Sequence, residues 1–282
     1  MDFDDFSDFF RETKNFILVL IIIILAGGLA AELIYIQKVL TPQSIDEQCV
    51  TLCSESGRVA YIYGKSCYCK YPINFEKNVH CFTNVSFETS DVYNKKFNVT
   101  AVRNIAVSSV VGYENPNSIA TRIFSIYNLL SNRIVYVSDP LKDEYVASPI
   151  ETWDIRGGDC DDMALLLASL YESIGLDVEI VEVYNDTYGH AFIIVRIDQD
   201  LNTFLEEYKK LLEKYTPYSG NLKINIVLFE NTENQCQVVK EGIKMGNSVN
   251  TFYIIIDSTV KNYAGGYDPI NNFKRIKFLR IG

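Results

Sequence analysis

The sequence predicts an α+β fold in which one helix packs on an antiparallel sheet, after a membrane segment and a small cysteine-rich segment. A long apolar run occupies residues 16–36, and five of the seven cysteines follow it closely. From residue 91, helical periodicities are followed by a run of strand patterns without regular βαβ alternation, which indicates an α+β domain. We therefore expect a cytoplasmic leader (1–15), a transmembrane helix (16–36), a disulfide-stapled stalk (42–90) and a main domain (91–282).

The apolar run is long enough to cross a bilayer. At 1.5 Å per residue its 21 residues span roughly 31 Å as a helix, and only Glu32 interrupts it. A cleaved signal peptide is the alternative, because Arg11 and Lys14 precede the run and Gly28 to Ala30 resemble a cleavage site. The run continues past that site, which favours an anchor. We expect a single-pass cell-membrane protein with its N-terminus in the cytoplasm, or a secreted one if the segment is cleaved.

Composition limits the classes of partner. The chain carries a net charge of -10, and its hydrophobic content of 48% can bury one sizeable core. The short basic tail, residues 274–280, is predicted to be a charged edge strand, and no basic face of useful size precedes it. We therefore expect no nucleic-acid partner, and we expect contact with a membrane through residues 16–36.

The cysteines indicate an oxidising compartment. With Cys160 set aside, six remain, and an even number is compatible with three disulfides in any of many pairings. Such bridges place the main domain outside the cytoplasm, and possible glycan acceptors at Asn84, Asn98 and Asn185 point the same way. A zinc site is the alternative, although a C-x3-C pair followed by C-x-C matches no usual zinc spacing. The six disulfide candidates are Cys49, Cys53, Cys67, Cys69, Cys81 and Cys236.

Residues 156–176 predict a buried helix with a cysteine at its start. Apolar residues recur at helical spacing from Met163 to Ile174, and Cys160 lies one turn before them. Asp159 or Gly158 is a plausible N-cap and Gly175 a plausible C-cap. A thiolate is favoured at this end of a helix because unpaired backbone amides and the helix dipole stabilise negative charge.

The remaining elements follow from periodicity and turn signals. Before Cys160 we expect helices over 102–110 and 118–130, a short strand over 134–137 and an irregular approach over 148–158. After it, alternation predicts strands over 176–184, 190–197, 222–229 and 252–257, with a helix over 201–215.

A thiol nucleophile needs a base, and the chain has two histidines. His190 begins a predicted strand, whereas His80 lies beside Cys81 in the stalk and is interpreted as a surface residue. Asp257, at the end of another strand, is predicted to orient His190. The alternative, Asp198, lies eight residues along the strand from His190, or roughly 26 Å away, so a regular strand excludes it.

Three sequence blocks resemble a known family. GDCDD opening a helix, GHAFIIV and YIIIDST are similar to the Cys, His and Asp blocks of the transglutaminase-like superfamily, whose fold resembles that of papain-like cysteine enzymes. The resemblance covers 91–282 and implies that Cys160 is the nucleophile, His190 the general base and acid, and Asp257 the residue that orients His190. The His and Asp blocks are unusually far apart, so an insertion is expected at 198–249.

The oxyanion hole and the acidic cluster complete the predicted site. The backbone N–H of Cys160 is one expected oxyanion donor, and the indole of Trp153 is either the second donor or a packing group. Asp159, Asp161 and Asp162 could suggest a calcium site, but their spacing is better explained as helix capping and no calcium-loop pattern is present. We therefore expect no metal and no cofactor.

Together these residues predict a membrane-anchored, extracytoplasmic cysteine enzyme that performs acyl transfer on amide bonds of proteins or peptides. Water as the acceptor makes it a protease or amidase, and a lysine amine makes it a transglutaminase. The alternative is a catalytically silent binding or assembly module of the same fold at the cell surface. The sequence predicts no particular oligomeric state.

Overall fold

The structure is a computed structural model that describes residues 45–139, 145–260 and 262–282. The predicted leader (1–15) and transmembrane helix (16–36) lie outside these residues. Within them, no helix combines the length and the apolar content that crossing a bilayer requires. The chain divides after Leu52, and all that follows concerns the larger unit, 53–282, except where stated.

A seven-stranded sheet forms the centre of the larger unit. Its strand order is β3-β9-β10-β8-β7-β11-β4, and all neighbours from β9 to β11 pair antiparallel. The outer strands differ, because β3 runs parallel to β9 and β4 runs parallel to β11. The sheet is therefore mixed: the predicted antiparallel pairing holds from β9 to β11 and does not hold for the two outer strands. The strands are β3 (Ile73–Thr83), β4 (Phe87–Thr89), β7 (Val178–Tyr184), β8 (Gly189–Ile197), β9 (Gly220–Glu230), β10 (Phe252–Ile256) and β11 (Arg275–Arg280).

The edges of this sheet were not predicted. The basic tail, β11, pairs with β7 on one side and β4 on the other, so it is not an edge strand. Both outer strands come from the segment expected to be a separate stalk, and β9 comes from the segment expected to be an insertion. Long-range pairing of this kind leaves no local signal, because β3 meets β9 about 147 residues later, as Asn78 opposite Asn225 shows.

Two small strand pairs lie outside the main sheet, β1 (Val59–Tyr63) with β2 (Ser66–Lys70) and β5 (Val135–Tyr136) with β6 (Gly157–Gly158).

The helices agree with the predictions where the helical periodicity of the sequence was strong. The helices are α1 (Ile45–Glu55), α2 (Asp91–Lys96), α3 (Val99–Val111), α4 (Ile119–Arg133), α5 (Pro149–Ile155), α6 (Cys160–Ser173), α7 (Leu201–Tyr215) and α8 (Glu233–Lys244).

The approach to Cys160 is helical rather than irregular. Helix α5 begins with a capping box in which the N–H of Ser148 donates to Glu151 and Pro149 occupies the first turn. A Ser-Pro-x-Glu sequence is a known start signal, so this helix was predictable. Its omission is an error of interpretation rather than an effect of tertiary structure.

Helix α6 is buried and packs on β7 and β8. On β8, alternate residues face opposite sides, so Ile193 and Val195 contact the helices while Phe192 and Ile194 join an aromatic cluster on the other face. Burial of each large apolar side chain stabilises the fold by about 1.5–3 kcal/mol. The prediction of a cysteine helix packed on a sheet is confirmed.

Disulfides hold the N-terminal part of the larger unit. One joins Cys53 to Cys69 in the β1–β2 hairpin, and another joins Cys81 in β3 to Cys236 in α8. Cys49 and Cys67 are also disulfide-bonded. All six candidate cysteines are thus disulfide-bonded, so none of them has a thiolate with which to bind zinc.

Candidate active site

The start of α6 fixes the position of Cys160. Arg156 ends α5 in a left-handed conformation at φ 64°, and the two glycines of β6 then pair with β5. A side chain at Gly158 would not fit, since its Cβ would lie 2.7 Å from the Cβ of Asp162. Cys160 itself is half-buried and is the one free cysteine of the described residues. The sulfur is therefore held at a helix N-terminus with partial access to solvent.

Three carboxylates surround this turn. Asp162 accepts from the N–H of Ala147 at 2.6 Å and from the N–H of Asp159 at 3.3 Å, and Asp161 accepts from the N–H of Asp162 at 2.8 Å. Burial, followed by hydrogen bonding and repulsion from neighbouring aspartates, raises the pKa of Asp161, and burial also raises the pKa of Asp162. These contacts agree with the capping interpretation.

The same three side chains are the residues of the site that could hold a cation, because one oxygen from each lies within 4.8 Å of the others. One oxygen of Asp159 has no hydrogen-bond partner among the described residues. However, both oxygens of Asp162 already accept backbone hydrogen bonds. The cluster is explained as a helix start, and nothing further is assigned to it.

His190 and Asp257 come together across neighbouring strands. His190 is the second residue of β8, and Asp257 follows β10, whose Ile256 pairs with Ile193 of β8. The imidazole Nε2 lies 2.6 Å from Oδ2 of Asp257, and both side chains are buried, at 7% and 1% exposure. Antiparallel pairing thus brings the end of β10 level with the start of β8.

Asp257 is itself held in place. Its Oδ1 accepts from the N–H of Thr259 at 2.9 Å and from the hydroxyl of the same residue at 2.6 Å, while its carbonyl accepts from the hydroxyl of Tyr127 at 3.3 Å. Every carboxylate oxygen therefore has a partner, which fixes the orientation of the group that faces the imidazole.

The environment of His190 favours the protonated ring. Burial alone lowers its pKa, but hydrogen bonds to Asp257 and to the thiol of Cys160, with the negative charges of both groups, raise the pKa to about 9. Since Nε2 faces Asp257, the nitrogen that is available to the thiol is Nδ1. The imidazole of His190 is therefore paired with Asp257 and lies near Cys160, which contributes to its raised pKa.

Asp198, the alternative partner, lies elsewhere. Its carboxylate is exposed and pairs with Arg196 at 3.1 Å, and it also accepts from the hydroxyl of Thr251. The geometric exclusion made from the strand length agrees with this position.

A small cavity of about 270 Å³ lies against His190. Phe273 stacks on the imidazole with ring centres 6.3 Å apart, and Tyr188 stacks on Phe273 at 6.0 Å. Burial, followed by the influence of Tyr136 and Cys160, raises the pKa of Tyr188 to about 12. Besides His190, the lining residues of this cavity, which we call the imidazole cavity, are Tyr136, Tyr188, Thr259, Val260, Tyr267 and Phe273.

None of these lining residues was singled out from the sequence. Tyr188 lies two residues before His190, and Thr259 is the last residue of the YIIIDST block. Both could have been predicted as site residues because they lie in or next to the predicted blocks. Tyr136, Tyr267 and Phe273 lie far from the blocks, and no sequence signal marks them. Trp153 is half-buried in α5 with the guanidinium of Arg133 4.0 Å from its ring centre, which is a packing contact. Its role as an oxyanion donor stays a prediction.

His80 is not the surface residue that was predicted. It lies in β3 with 10% of its side chain exposed, and its Nε2 is 3.1 Å from Oδ1 of Asp268. Asn78 donates to the other oxygen of Asp268 at 2.9 Å and to Asn225 at 2.7 Å. The side chain is half-buried because β3 joins the main sheet, which the stalk interpretation did not anticipate.

Neither a protein-family model nor the sequence of a curated protein matches this chain. Among solved structures, a provisionally assigned cysteine protease from Cytophaga hutchinsonii is 17% identical with a TM-score of 0.30, over 39% of this chain and 42% of that one. LapG from Legionella pneumophila, in a calcium-bound form, is 19% identical with a TM-score of 0.23, over 35% of this chain and 66% of LapG. At these scores neither likeness identifies the function of the chain.

Proposed function

We propose that this chain is a cysteine enzyme that performs acyl transfer on amide bonds of proteins or peptides, with Cys160 as nucleophile. The observation that carries the proposal is the position of His190, which is buried, is hydrogen-bonded to Asp257 and lies near enough to Cys160 for the cysteine to raise the pKa of the imidazole. A thiol, an imidazole and a carboxylate in this order are the groups that nucleophilic catalysis by cysteine requires. The sulfur also lies at a helix N-terminus, where negative charge is stabilised.

Before the first half-reaction the thiol proton already resides on His190, whose raised pKa favours the protonated ring, and the Cys160 sulfur then attacks the carbonyl carbon. As the first residue of α6, Cys160 has a backbone N–H without an intrahelical partner, which can donate to the developing oxyanion. The indole of Trp153 is the candidate second donor. His190 then gives its proton to the leaving amine, the C–N bond breaks, and a thioester remains on Cys160.

In the second half-reaction an acceptor replaces the sulfur. His190 removes a proton from the acceptor, which attacks the thioester carbonyl, and the departure of the thiolate restores the starting pair of thiolate and protonated His190. Water yields a carboxylic acid, and a lysine amine yields a new amide. Asp257 holds the imidazole orientation throughout and stabilises its positive form.

We assign the reaction to a compartment outside the cytoplasm, because the disulfides of this domain need an oxidising environment. The apolar segment 16–36 would then anchor the chain in a membrane. Alkaline extraction of membranes tests the anchor. Release of the full-length chain into the soluble fraction would contradict it.

Alkylation tests the nucleophile. Because the other six cysteines are disulfide-bonded, iodoacetamide added to the unreduced full-length protein should modify Cys160 alone. Cys160→Ala should abolish both this labelling and cleavage of an unfolded fluorescent protein substrate. Cys160→Ser, which keeps the shape of the site, should also lose labelling and retain the melting temperature of the parent.

Two results would contradict the proposal. Amide cleavage that persists unchanged in Cys160→Ala would remove Cys160 from the reaction. Labelling that requires a pH near 8.5, as for an ordinary thiol, with no turnover of protein substrates or of added amines, would favour the binding module instead.

A further inference from the structure

We propose that the imidazole cavity selects an uncharged apolar side chain on the first residue released after the cleaved bond. This inference rests on the proposed function and adds the class of substrate. Pockets for complete small-molecule ligands occupy roughly 300–1,000 Å³. The imidazole cavity, at about 270 Å³, matches one amino-acid side chain better than a whole ligand.

The walls of the cavity are uncharged. Apart from His190, its lining consists of three tyrosines, one phenylalanine, one threonine and one valine. Tyr188 keeps its proton at neutral pH because its pKa is raised to about 12. His190 contributes a positive ring, but Asp257 compensates this charge at 2.6 Å. A charged substrate side chain would lose water here without gaining an ionic partner, so the lining favours apolar side chains.

The position of the cavity identifies which substrate residue it contacts. His190 must lie beside the leaving nitrogen in order to protonate it. The residue that carries this nitrogen is the first residue of the released fragment. Because the imidazole forms one wall of the cavity, the side chain of that residue is the one placed to enter it. The residue on the acyl side stays bonded to Cys160 instead.

Two of the walls are held rigidly by a contact remote from the sulfur. Tyr267 and Phe273 lie at the ends of the segment 267–273, which contains Asp268. Asp268 is fixed by His80 at 3.1 Å, by Asn78 at 2.9 Å and by the N–H of Ile270 at 3.2 Å. A cavity that is already formed costs less to fill, because its side chains need little ordering when substrate binds.

A peptide library measures the preference directly. Peptides from a digested, denatured proteome, with their amines blocked, are incubated with the full-length protein in detergent, and the newly formed N-termini are sequenced. We expect the first residue of the new fragments to be enriched in Leu, Met, Phe and Tyr. Asp, Glu, Lys and Arg should be depleted by roughly tenfold or more relative to the library.

Substitutions of residues that line the cavity test whether the cavity causes the preference for the first released residue. Val260→Asp places a carboxylate in the cavity and should shift the preference towards Lys and Arg. The matched control, Val238→Asp, changes an exposed valine in α8 outside the cavity and should leave the preference unchanged. Tyr267→Ala, which enlarges the cavity, should admit Trp and provides a second variant if Val260→Asp does not fold.

The outcomes separate this inference from the proposed function. Cleavage without a preference at the first released residue, or the same preference in Val260→Asp and in Tyr267→Ala, overturns the cavity assignment and leaves Cys160 chemistry intact. Absence of any cleavage, with Cys160 unreactive to iodoacetamide, overturns both. Release of ammonia from glutamine without new N-termini also overturns the cavity assignment, since no residue then leaves.

Discussion

The chain contains two histidine–aspartate pairs with different neighbours, one buried and one half-buried. His190 and Asp257 lie 2.6 Å apart beside a free thiol, whereas His80 and Asp268 lie 3.1 Å apart in β3 and the segment after β10. The neighbours of His80 are the amide of Asn78 and, next in the chain, the disulfide-bonded Cys81. A histidine–carboxylate contact thus occurs in this chain both beside a free thiol and without one. Under the proposed function, the thiol near the ring distinguishes the two pairs.

The two pairs also respond to pH in opposite directions. The pKa of His190 is raised to about 9, so its pairing stabilises the fold fully below about pH 6.5 and is lost as pH rises through about 9. For Asp268, burial raises the pKa, but hydrogen bonding and the charge of His80 lower it overall. That contribution is present above the ordinary aspartate pKa and is lost as pH falls through the lowered value. The His190–Asp257 pair therefore loses its stabilising contribution at alkaline pH, and the His80–Asp268 pair loses its contribution at acidic pH.

The largest contrast is expected from removing each carboxylate charge. Asp257→Asn should lower kcat by about 10³–10⁴-fold, because an amide can hold the ring but cannot stabilise the imidazolium. Asp268→Asn, the matched control, should lower kcat less than about threefold and act mainly on stability. Initial rates on an unfolded protein substrate measure both. Equal losses in the two variants would mean that the pairs are not functionally distinct.

Removal of the disulfide next to His80 is expected to lower the stability of the fold and to leave the reactivity of Cys160 unchanged. The bridge from Cys81 to Cys236 closes a loop with a sequence separation of 155 residues, and loops of that size stabilise by about 4–5 kcal/mol in the chain-entropy model. The double variant Cys81→Ser/Cys236→Ser should lose stability of this order in urea unfolding. At a temperature where it is folded, the rate of Cys160 alkylation should match that of the parent protein. A large fall in that rate would show that the two regions are coupled.

The pH profile sharpens the assignment of His190. Turnover that needs the imidazolium proton should fall above about pH 9, where the ring loses it. In Asp257→Asn the residual activity should fall at a lower pH, because the carboxylate that supports the proton is gone. Asp268→Asn should leave this alkaline limb in place. A limb that moves equally in both variants would contradict the separation of the pairs.

The smallest effect is expected from His80→Gln. The variant should destabilise the fold by about 1–2 kcal/mol, since it weakens the bond to Asp268. If His80 is a positioning residue for the segment 267–273, KM for peptides should rise while kcat and its alkaline limb change little. The amide of His80→Asn is shorter and reaches Asp268 less well, so this variant should raise KM more than His80→Gln does. A fall in kcat alone would contradict the positioning role.

Local reasoning worked where a residue and its neighbours carry the signal. The periodicity from Met163 onwards identified α6, and alternation identified β8 and β10. The strand length alone separated Asp198 from His190. Local patterns failed at β3. His80 is a polar residue in a cysteine-rich stretch of sequence, and it is half-buried only because β9 pairs beside it. The positions of the Tyr136 and Phe273 rings beside His190 could not be predicted either, because these contacts also join residues that are distant in the chain.

The sequence by itself determined the residue types and spacings of the chemistry: a cysteine at a helix start, a histidine that begins a strand and an aspartate that ends another. These depend on helix and strand periods, which act over a few residues. Only the tertiary structure decided that His80 meets Asp268, that the stalk segment supplies both outer strands and that four aromatic rings form a cavity beside His190. Such contacts join residues that are distant in the chain, and they depend on how the whole core packs rather than on local preference.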